Sequence, residues 1–388
     1  MNPIVRIPIT NFFNGGDYTG VLQIGAAKKP LNLLLDTGSS ALALDGHRYK
    51  PSAAGGDKTT DLAQTASYGD GSTWTGAVIN TTVVAGDGAN AVSLANANVA
   101  IAYEESRSMF RGCDGILGLA YAPLDDAYTM PAATWPKKYS AAQVQQGQHG
   151  VIQPYMTQLA GAGVAYERMA FVTHRSFVRI GHGGATDPLN LGTMVIGGGD
   201  EAHDLYDGAF ASVKVLADAW YNTNLVSITV GSAAPIAVSA RGQKGMPSNS
   251  IVDSGTNSLN LGPTLLAAVM QKFSADQQQL LSAAILHNRV VAADDLDLAT
   301  WPTLVFELQA SDDNAGGGQT VKLNVAPGDY WQVDAYKAGA ALCAITQGAD
   351  GLAILGLPLM NGYFTFFDGV ADNHRGVIRF AQGKPVAA

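Results

Sequence analysis

The stretch LLLDTGSS at residues 33–40 decides the fold. Its three leucines predict a buried strand, and the glycine and serines after Asp36 predict that this strand ends in a turn. A carboxylate there is costly to desolvate by itself, so it needs donors such as the Gly38 N–H and the neighbouring hydroxyls. A single copy is a weak signal, because many strands end in Asp-x-Gly only to form a turn.

The same pattern returns at residues 250–257 (SIVDSGTN), where Asp253 takes the place of Asp36. Each copy is followed by a second related motif, CDGILGL at 113–119 and LAILGL at 352–357. Because an ordered pair of motifs occurs twice, we interpret the chain as an internal duplication.

These motifs, with YGDGS at 68–72 between them, resemble the pepsin-like aspartic peptidases. DGILGLAY at 114–121 and ILGLPLMNGYFTFFD at 354–368 match that family almost word for word. The resemblance runs from YTGVLQIG, beginning at Tyr18, to the C-terminus. It implies an all-β, bilobal fold in which two related β-rich lobes flank a central cleft. We expect residues 1–197 to form the lobe with the first catalytic aspartate and the flap, and 198–388 the lobe with the second.

Short apolar runs between turn residues predict strands at 20–24, 41–44, 77–84 and 99–103. Helical periodicity predicts helices at 151–160, 263–273 and 274–286. The glycine-rich stretch 194–200 (MVIGGGD) is interpreted as the crossover between the lobes. A phosphate-binding loop is disfavoured there, because no lysine and no strand-to-helix context accompany the glycines.

Composition excludes several classes of function. The net charge is −9 with only 23 Lys and Arg and no basic cluster, so nucleic acid is not expected as a partner. No apolar run approaches the roughly 18 residues of a membrane span, and no membrane partner is expected. The seven histidines form no ligand pattern, so we expect no metal and no cofactor. A Gly-x-Ser-x-Gly motif is missing, which argues against a serine hydrolase.

The cysteines and the N-terminus bear on the compartment. Cys113 and Cys343 lie in opposite halves of the duplication, and two buried thiols are favoured over a disulfide between lobes. Of the 17 residues before Tyr18 only Arg6 is basic, so we expect neither a signal peptide nor a basic pro-segment. In these respects the chain resembles bacterial pepsin homologues of the shewasin type. We therefore expect a monomeric cytoplasmic enzyme made without a zymogen stage.

The resemblance implies that Asp36 and Asp253 form the catalytic pair. Two facing carboxylates cannot both ionise cheaply, so they share one proton. The ionised member can take a proton from a water, and the protonated member can hydrogen-bond the scissile carbonyl. Which aspartate has which role stays open, because such a pair titrates as one unit.

The residues beside each aspartate have implied supporting roles. The backbone N–H groups of Gly38 and Gly255 would bind the inner carboxylate oxygens. The hydroxyls of Ser39 and Thr256 would bind the outer oxygens, and those of Thr37 and Ser254 would brace one loop against the other. Serine at 254 keeps the hydroxyl but lacks threonine's methyl, so a looser brace is expected. The alternative is that these hydroxyls only cap turns.

Tyr68, Gly69 and Asp70 are the candidate flap over the cleft. In the family a tryptophan braces the flap tyrosine, and Ala43 occupies the matching position here. Trp74, just past the tip of the hairpin, either compensates for that loss or is an exposed aromatic on a loop.

Six further residues are candidates for contact with substrate by their positions near the family motifs: Leu34, Phe110, Ile116, Tyr221, Asn257 and Leu359. An apolar cleft would favour bulky hydrophobic side chains on both sides of the scissile bond. Plain core packing is the alternative for the apolar members of this set.

The resulting hypothesis is an aspartic endopeptidase that cleaves peptides and unfolded proteins at acidic pH and is inhibited by pepstatin-type compounds. One rival is a homologue of little or no activity that binds peptides or proteins. A second is a two-carboxylate glycosidase, whose acids lie about 5 Å or more apart.

Overall fold

The computed structural model describes residues 3–110, 112–240 and 242–385, and strands are the main regular secondary structure among them. Strands before residue 198 are β1 (Val5–Asn14), β2 (Asp17–Ile24), β3 (Lys29–Asp36), β4 (Leu42–Asp45), β5 (Lys58–Ser67), β6 (Thr73–Ala85), β7 (Val92–Glu105), β8 (Gly115–Gly118), β9 (Asp126–Thr129), β10 (Gln148–Val151), β11 (Arg168–Val172) and β12 (Leu191–Ile196).

The strands that follow are β13 (Tyr206–Lys214), β14 (Asn222–Thr223), β15 (Leu225–Val230), β16 (Ile236–Ala237), β17 (Ser250–Val252), β18 (Leu259–Leu261), β19 (Val291–Ala292), β20 (Leu304–Gln309), β21 (Thr320–Val325), β22 (Trp331–Val333), β23 (Ala340–Cys343), β24 (Ile345–Gln347), β25 (Ala353–Leu355), β26 (Tyr363–Asp368) and β27 (Val377–Gly383). The α-helices have between four and 13 residues: α1 (Ala141–Val144), α2 (Tyr155–Gly161), α3 (Pro263–Met270), α4 (Ala275–His287), α5 (Pro327–Tyr330) and α6 (Leu357–Met360).

The two halves of the duplicated sequence form the same arrangement of paired strands. In the first half β3 pairs parallel with β8, β8 antiparallel with β4, and β4 parallel with β7. In the second half β17 pairs parallel with β25, β25 antiparallel with β18, and β18 parallel with β24. Asp36 ends β3, and Asp253 directly follows β17. The two aspartates therefore occupy the same position in two copies of one arrangement.

One large sheet joins the two halves of the chain. Its order passes from β3 through β2, β1, β12 and β11 to β26, β27 and β13. Strands from near the C-terminus thus complete a sheet that begins near the N-terminus. The fold is all-β with two related lobes, as expected. The boundary between residues 197 and 198 stays a prediction, and the outer ends of the expected lobes, 1–2 and 386–388, lie outside the described residues.

The alternation of side chains along β3 explains how this strand presents residues to a cleft. Leu31, Leu33 and Leu35 point into the core and are at most 2% exposed. Leu34 points to the opposite face and is only half-buried. Because strand residues alternate between faces, Asp36 shares the face of Leu34.

The predicted helix at 151–160 is wrong at its start. Residues 148–151 form β10, which pairs with β9, and helix α2 begins only at Tyr155. Pro154 caps this helix, and a residue that precedes proline is biased towards an extended conformation. The predictions at 263–273 and 274–286 are confirmed as α3 and α4, with Pro263 in the first turn of α3 and a Ser274–Gln277 capping box on α4.

Both cysteines are unpaired, as expected. Burial raises the pKa of the Cys113 thiol to about 11 and that of Cys343 to about 12, so both are protonated near neutrality. Among the residues described, no helix is long and apolar enough to cross a membrane.

Candidate active site

The turns after β3 and β17 meet and brace each other through four hydrogen bonds. The Thr37 N–H donates to Ser254 Oγ at 3.0 Å, and the Ser254 N–H donates to Thr37 Oγ1 at 2.9 Å. The Thr37 hydroxyl donates to the Val252 carbonyl at 3.2 Å, and the Ser254 hydroxyl to the Leu35 carbonyl at 2.8 Å. These hydroxyls therefore bridge the two turns instead of only capping them, and serine at 254 makes its bonds without threonine's methyl.

Each aspartate is held by the same two kinds of donor. The Gly38 N–H donates to Asp36 Oδ1 at 2.7 Å, and the Ser39 hydroxyl donates to Asp36 Oδ2. The Gly255 N–H donates to Asp253 Oδ1 at 2.9 Å, and the Thr256 hydroxyl to Asp253 Oδ2 at 2.7 Å. Donors within its own turn thus fix the orientation of each carboxyl.

The two carboxyls lie against each other because the facing residues are glycines. Asp36 and Asp253 are in hydrogen-bonding contact, and both are buried, at 5% and 8% exposure. A Cβ on Gly38 would lie 2.7 Å from either carboxylate oxygen of Asp253, and a Cβ on Gly255 only 2.3 Å from Asp36 Oδ1. Any other residue at these glycines would push the carboxyls apart.

The electrostatics of the pair favour a retained proton. Burial, and next the charge of Asp253, hold the pKa of Asp36 well above its ordinary value. The hydrogen bonds from Ser39 and Gly38 act in the opposite direction but are outweighed. Such a site can keep one proton between two acids where isolated carboxylates would both be ionised.

The candidate flap is the hairpin between β5 and β6. The Tyr68 N–H donates to the Ser72 carbonyl and the Gly71 N–H to the Tyr68 carbonyl, both at 2.9 Å. Gly71 has φ +81°, which favours glycine, and Asp70 Oδ1 accepts from the backbone and hydroxyl of Ser72. Arg107 holds the tip from outside by donating to the Asp70 carbonyl.

Trp74 binds the flap tyrosine directly. Its Nε1–H donates to the Tyr68 hydroxyl at 3.1 Å, and that hydroxyl also contacts Ser39, the residue that binds Asp36. Trp74 lies within β6 and is 1% exposed, so the alternative of an exposed aromatic on a loop is wrong. In the β5–β6 register Trp74 is opposite Ala66, which places Trp74 and Tyr68 as diagonal neighbours on one face.

Small residues make room for this indole. Trp74 packs in a cluster with four alanines, Ala41, Ala43, Ala100 and Ala102, all almost fully buried. Ala43, where the family tryptophan was expected, has 0% exposure and belongs to the same cluster. A tryptophan on the flap hairpin therefore fills space that short side chains on β4 and β7 leave open.

The structure brings three of the candidate substrate contacts together. Phe110 and Ile116 belong to the cluster around Trp74, and the half-buried Leu34 packs against it together with Tyr68. Asn257 follows the second aspartate turn and is half-buried.

The core-packing alternative describes the remaining two candidates. Leu359 has 0% exposure within α6, and Tyr221 is 5% exposed with its ring 4.5 Å from that of Phe367. The Tyr221 hydroxyl donates to the Leu119 carbonyl at 3.2 Å, which ties it to the first half of the chain.

Sequence reasoning missed Trp220. Its Nε1–H donates to the Gly38 carbonyl at 3.0 Å and so supports the first aspartate turn from the second half of the chain. No local motif marks this residue, because the contact joins positions far apart in the sequence. The described residues contain no group of three His, Cys, Asp or Glu that could hold a metal ion.

Residues 17–151 and 186–382 match the model of the family described as eukaryotic aspartyl protease. The chain belongs to this family. A similar protein is Rhizopuspepsin-5 from Rhizopus niveus, which is 30% identical over 129 residues, or 30% of this chain and 32% of the relative. The match thus spans about a third of the relative's length.

We predict that Ser254→Ala lowers the free energy of unfolding by about 1–3 kcal/mol, because it leaves the buried Thr37 N–H without its acceptor. Urea denaturation followed by circular dichroism measures this change. Ser93→Ala, at an exposed position on β7, is the control and should change stability by no more than about 0.5 kcal/mol. Equal effects from the two substitutions would show that the brace contributes little.

Proposed function

We propose that this member of the family is an aspartic endopeptidase in which Asp36 and Asp253 share one proton and activate a water. The contact between two buried carboxyls, each held by matched donors in its own turn, carries this proposal. The family membership supports the same reaction class.

The reaction follows from the shared proton. The ionised carboxylate takes a proton from water as the water oxygen bonds to the scissile carbonyl carbon. The protonated carboxyl donates to the carbonyl oxygen, which becomes a hydroxyl of the tetrahedral intermediate. When that intermediate collapses, the C–N bond breaks and the leaving nitrogen receives a proton from the pair, while one hydroxyl of the intermediate returns its proton to the pair and becomes the new carbonyl oxygen. The products are a carboxylic acid and an amine, and the pair again holds one proton.

The observed contacts favour this function over both rivals. A glycosidase needs its acids about 5 Å or more apart, whereas these carboxyls are in hydrogen-bonding contact. An unbraced flap tyrosine, as alanine at position 43 suggests, would favour a non-catalytic peptide-binding homologue. The bond from Trp74 to Tyr68 removes that argument, because the flap tyrosine is braced from another position.

Substrate preference and setting are finer parts of the proposal. The half-buried Leu34 lies beside Tyr68 and packs against the buried Phe110 and Ile116, and this apolar surface supports a preference for bulky hydrophobic side chains beside the scissile bond. Unpaired thiols fit a reducing compartment such as a bacterial cytoplasm, with the enzyme acting as a monomer close to the shewasin type.

We expect Asp36→Asn and Asp253→Asn each to reduce kcat/KM by at least about a thousandfold, because one amide abolishes the shared proton. Cleavage of casein at acid pH, with and without pepstatin, measures both the activity and its dependence on the pair. Asp294→Asn, at an exposed position, is the charge-matched control and should keep full activity. Retention of substantial activity by either active-site variant would contradict the assignment.

We expect Trp74→Phe to lower kcat/KM about two- to tenfold, the effect of one hydrogen bond, while the ring still fills its cluster. Tyr68→Phe should do the same, and the double variant should be little worse than either alone, since both changes remove the same bond. Tyr68→Ala should lower kcat/KM further by weakening flap closure. The control is Trp331→Phe, because the buried Trp331 Nε1–H makes no hydrogen bond. Additive losses in the double variant would refute the brace.

We expect kcat/KM on a fluorogenic peptide to follow a bell-shaped pH profile with its maximum below pH 7. Below the lower apparent pKa both acids are protonated and the water has no base; above the upper one both are ionised and the carbonyl has no donor. The raised pKa of Asp36 places the upper limb above the range of an ordinary aspartate. A scan from pH 3 to pH 8 tests this, and a maximum at or above pH 7 would overturn it.

The same raised pKa has a consequence for stability. A carboxyl with a higher pKa in the folded state contributes most stability below its unfolded pKa and loses that contribution as pH rises through the folded value. Asp36→Asn removes the ionisation, so its gain in the free energy of unfolding should be larger at pH 7 than at pH 4. Equal gains in the free energy of unfolding at the two pH values would indicate that the pKa of Asp36 is not raised in the folded state.

A further inference from the structure

The hairpin that carries Tyr68 is held unequally on its two sides. Strand β5 pairs with β9 only at Leu62 and Ala63, so within the described chain the part of β5 that leads to Tyr68 has no second strand beside it. Strand β6 pairs with β7 as far as Trp74, which lies opposite Glu105. Near its tip the hairpin is therefore attached to the sheet mainly through β6.

Ser106, the residue after β7, makes the last of these attachments. Its hydroxyl oxygen accepts from the Thr73 N–H at 3.0 Å, and its own N–H donates to the Thr73 carbonyl at 2.9 Å. The hydroxyls of the two residues are also hydrogen-bonded, at 2.9 Å. Ser106 thus binds both backbone groups of Thr73, and its hydroxyl acts as the acceptor that a strand carbonyl would otherwise provide.

The loop that follows β7 is itself held in place. Arg107 and Ser108 have φ +56° and +51°, a left-handed conformation that is unfavourable for residues other than glycine. Such residues persist only where surrounding contacts hold them. The Phe110 N–H donates to Glu105 Oε2 at 3.3 Å, and Arg107 donates to the Asp70 carbonyl at the flap tip. This loop is therefore a fixed support for the hairpin.

The tip beyond Thr73 is closed mainly by bonds within the hairpin. Tyr68 and Ser72 pair through their backbones, and Gly71 bonds back to the Tyr68 carbonyl. A Cβ on Gly69 would have no atom within 4 Å, so the chain leaves open space there. The tip can move into this space without disturbing the attachment at Thr73.

We propose that Ser106 is a positioning residue for the flap. It fixes β6 up to Thr73 and leaves residues 68–72 as the part that moves when a peptide enters and leaves. Because most of the hairpin is already ordered, less of the chain has to be immobilised when a peptide binds. This inference rests on the proposed function, since it gives the hairpin the role of covering a peptide.

Hydrogen exchange of the free enzyme tests the attachment without a substrate. In Ser106→Ala the Thr73 N–H loses its acceptor, and exchange over residues 68–75 should become about three- to tenfold faster, the effect of one hydrogen bond. The urea midpoint should hardly change, because Thr73 is exposed and its N–H can bind water instead. Ser106→Thr keeps the hydroxyl and should restore the parental exchange. Ser93→Ala, at an exposed position on β7, is the matched control and should leave exchange over residues 68–75 unchanged.

Steady-state kinetics on a fluorogenic peptide test the consequence for the reaction. Ser106→Ala should raise KM about three- to tenfold and leave kcat within about twofold, because the flap then has to be ordered as the peptide binds. Ser106→Thr should return KM to the parental value. A merely structural role would instead lower the urea midpoint and the amount of active enzyme, which lowers the apparent kcat and leaves KM unchanged.

Three results would overturn the inference: unchanged exchange over residues 68–75 in Ser106→Ala, faster exchange spread evenly along the chain, or an unchanged KM in an active Ser106→Ala enzyme. Failure of the parent enzyme to cleave any peptide would contradict the proposed function. In that case the exchange measurements still decide whether Ser106 fixes the hairpin.

Discussion

The contact between the Asp36 and Asp253 carboxyls is the interaction on which the rest of this structure depends. Two acids in contact repel when ionised and are costly to bury, so the fold must hold them together against charge repulsion and the cost of desolvation. The bonds between Thr37 and Ser254 do this by tying the two turns backbone to side chain in both directions. Because Trp220 adds a bond to the Gly38 carbonyl, the first turn is also held by the second half of the chain.

The duplication explains how a single chain can build such a contact. Each half repeats the same order of parallel and antiparallel strands, and each delivers one aspartate at the end of the corresponding strand. Glycine recurs beside each aspartate for a steric reason, since a Cβ at either position would meet the opposite carboxyl. The symmetry is incomplete, because only the first half carries the Tyr68 hairpin that reaches Ser39.

In that hairpin, a large side chain on one strand fills the space that small side chains on two other strands leave. The alanines on β4 and β7 leave space that the Trp74 indole fills from β6, and its N–H still meets the Tyr68 hydroxyl. The brace therefore belongs to the same hairpin as the residue it holds. Asp17 is the contrasting case: it lies near the same face, yet none of the residues that the structure describes donates to its shielded oxygen.

Local patterns in the sequence determined the two aspartate turns, the duplicated motifs, the all-β class and helices α3 and α4, because these depend on neighbouring residues and on periodicity. Where a local rule was overlooked, as with Pro154 and the start of α2, the prediction was wrong. Tertiary structure alone decided which distant side chains meet: the four-bond brace geometry, the support from Trp220, the burial of Leu359 and Tyr221, and the bond from Trp74 to Tyr68. It also decided that Asp17 lies near Asp253. Such contacts depend on sheet register and on the volume left by residues on other strands, and neither is encoded in the neighbourhood of any one residue.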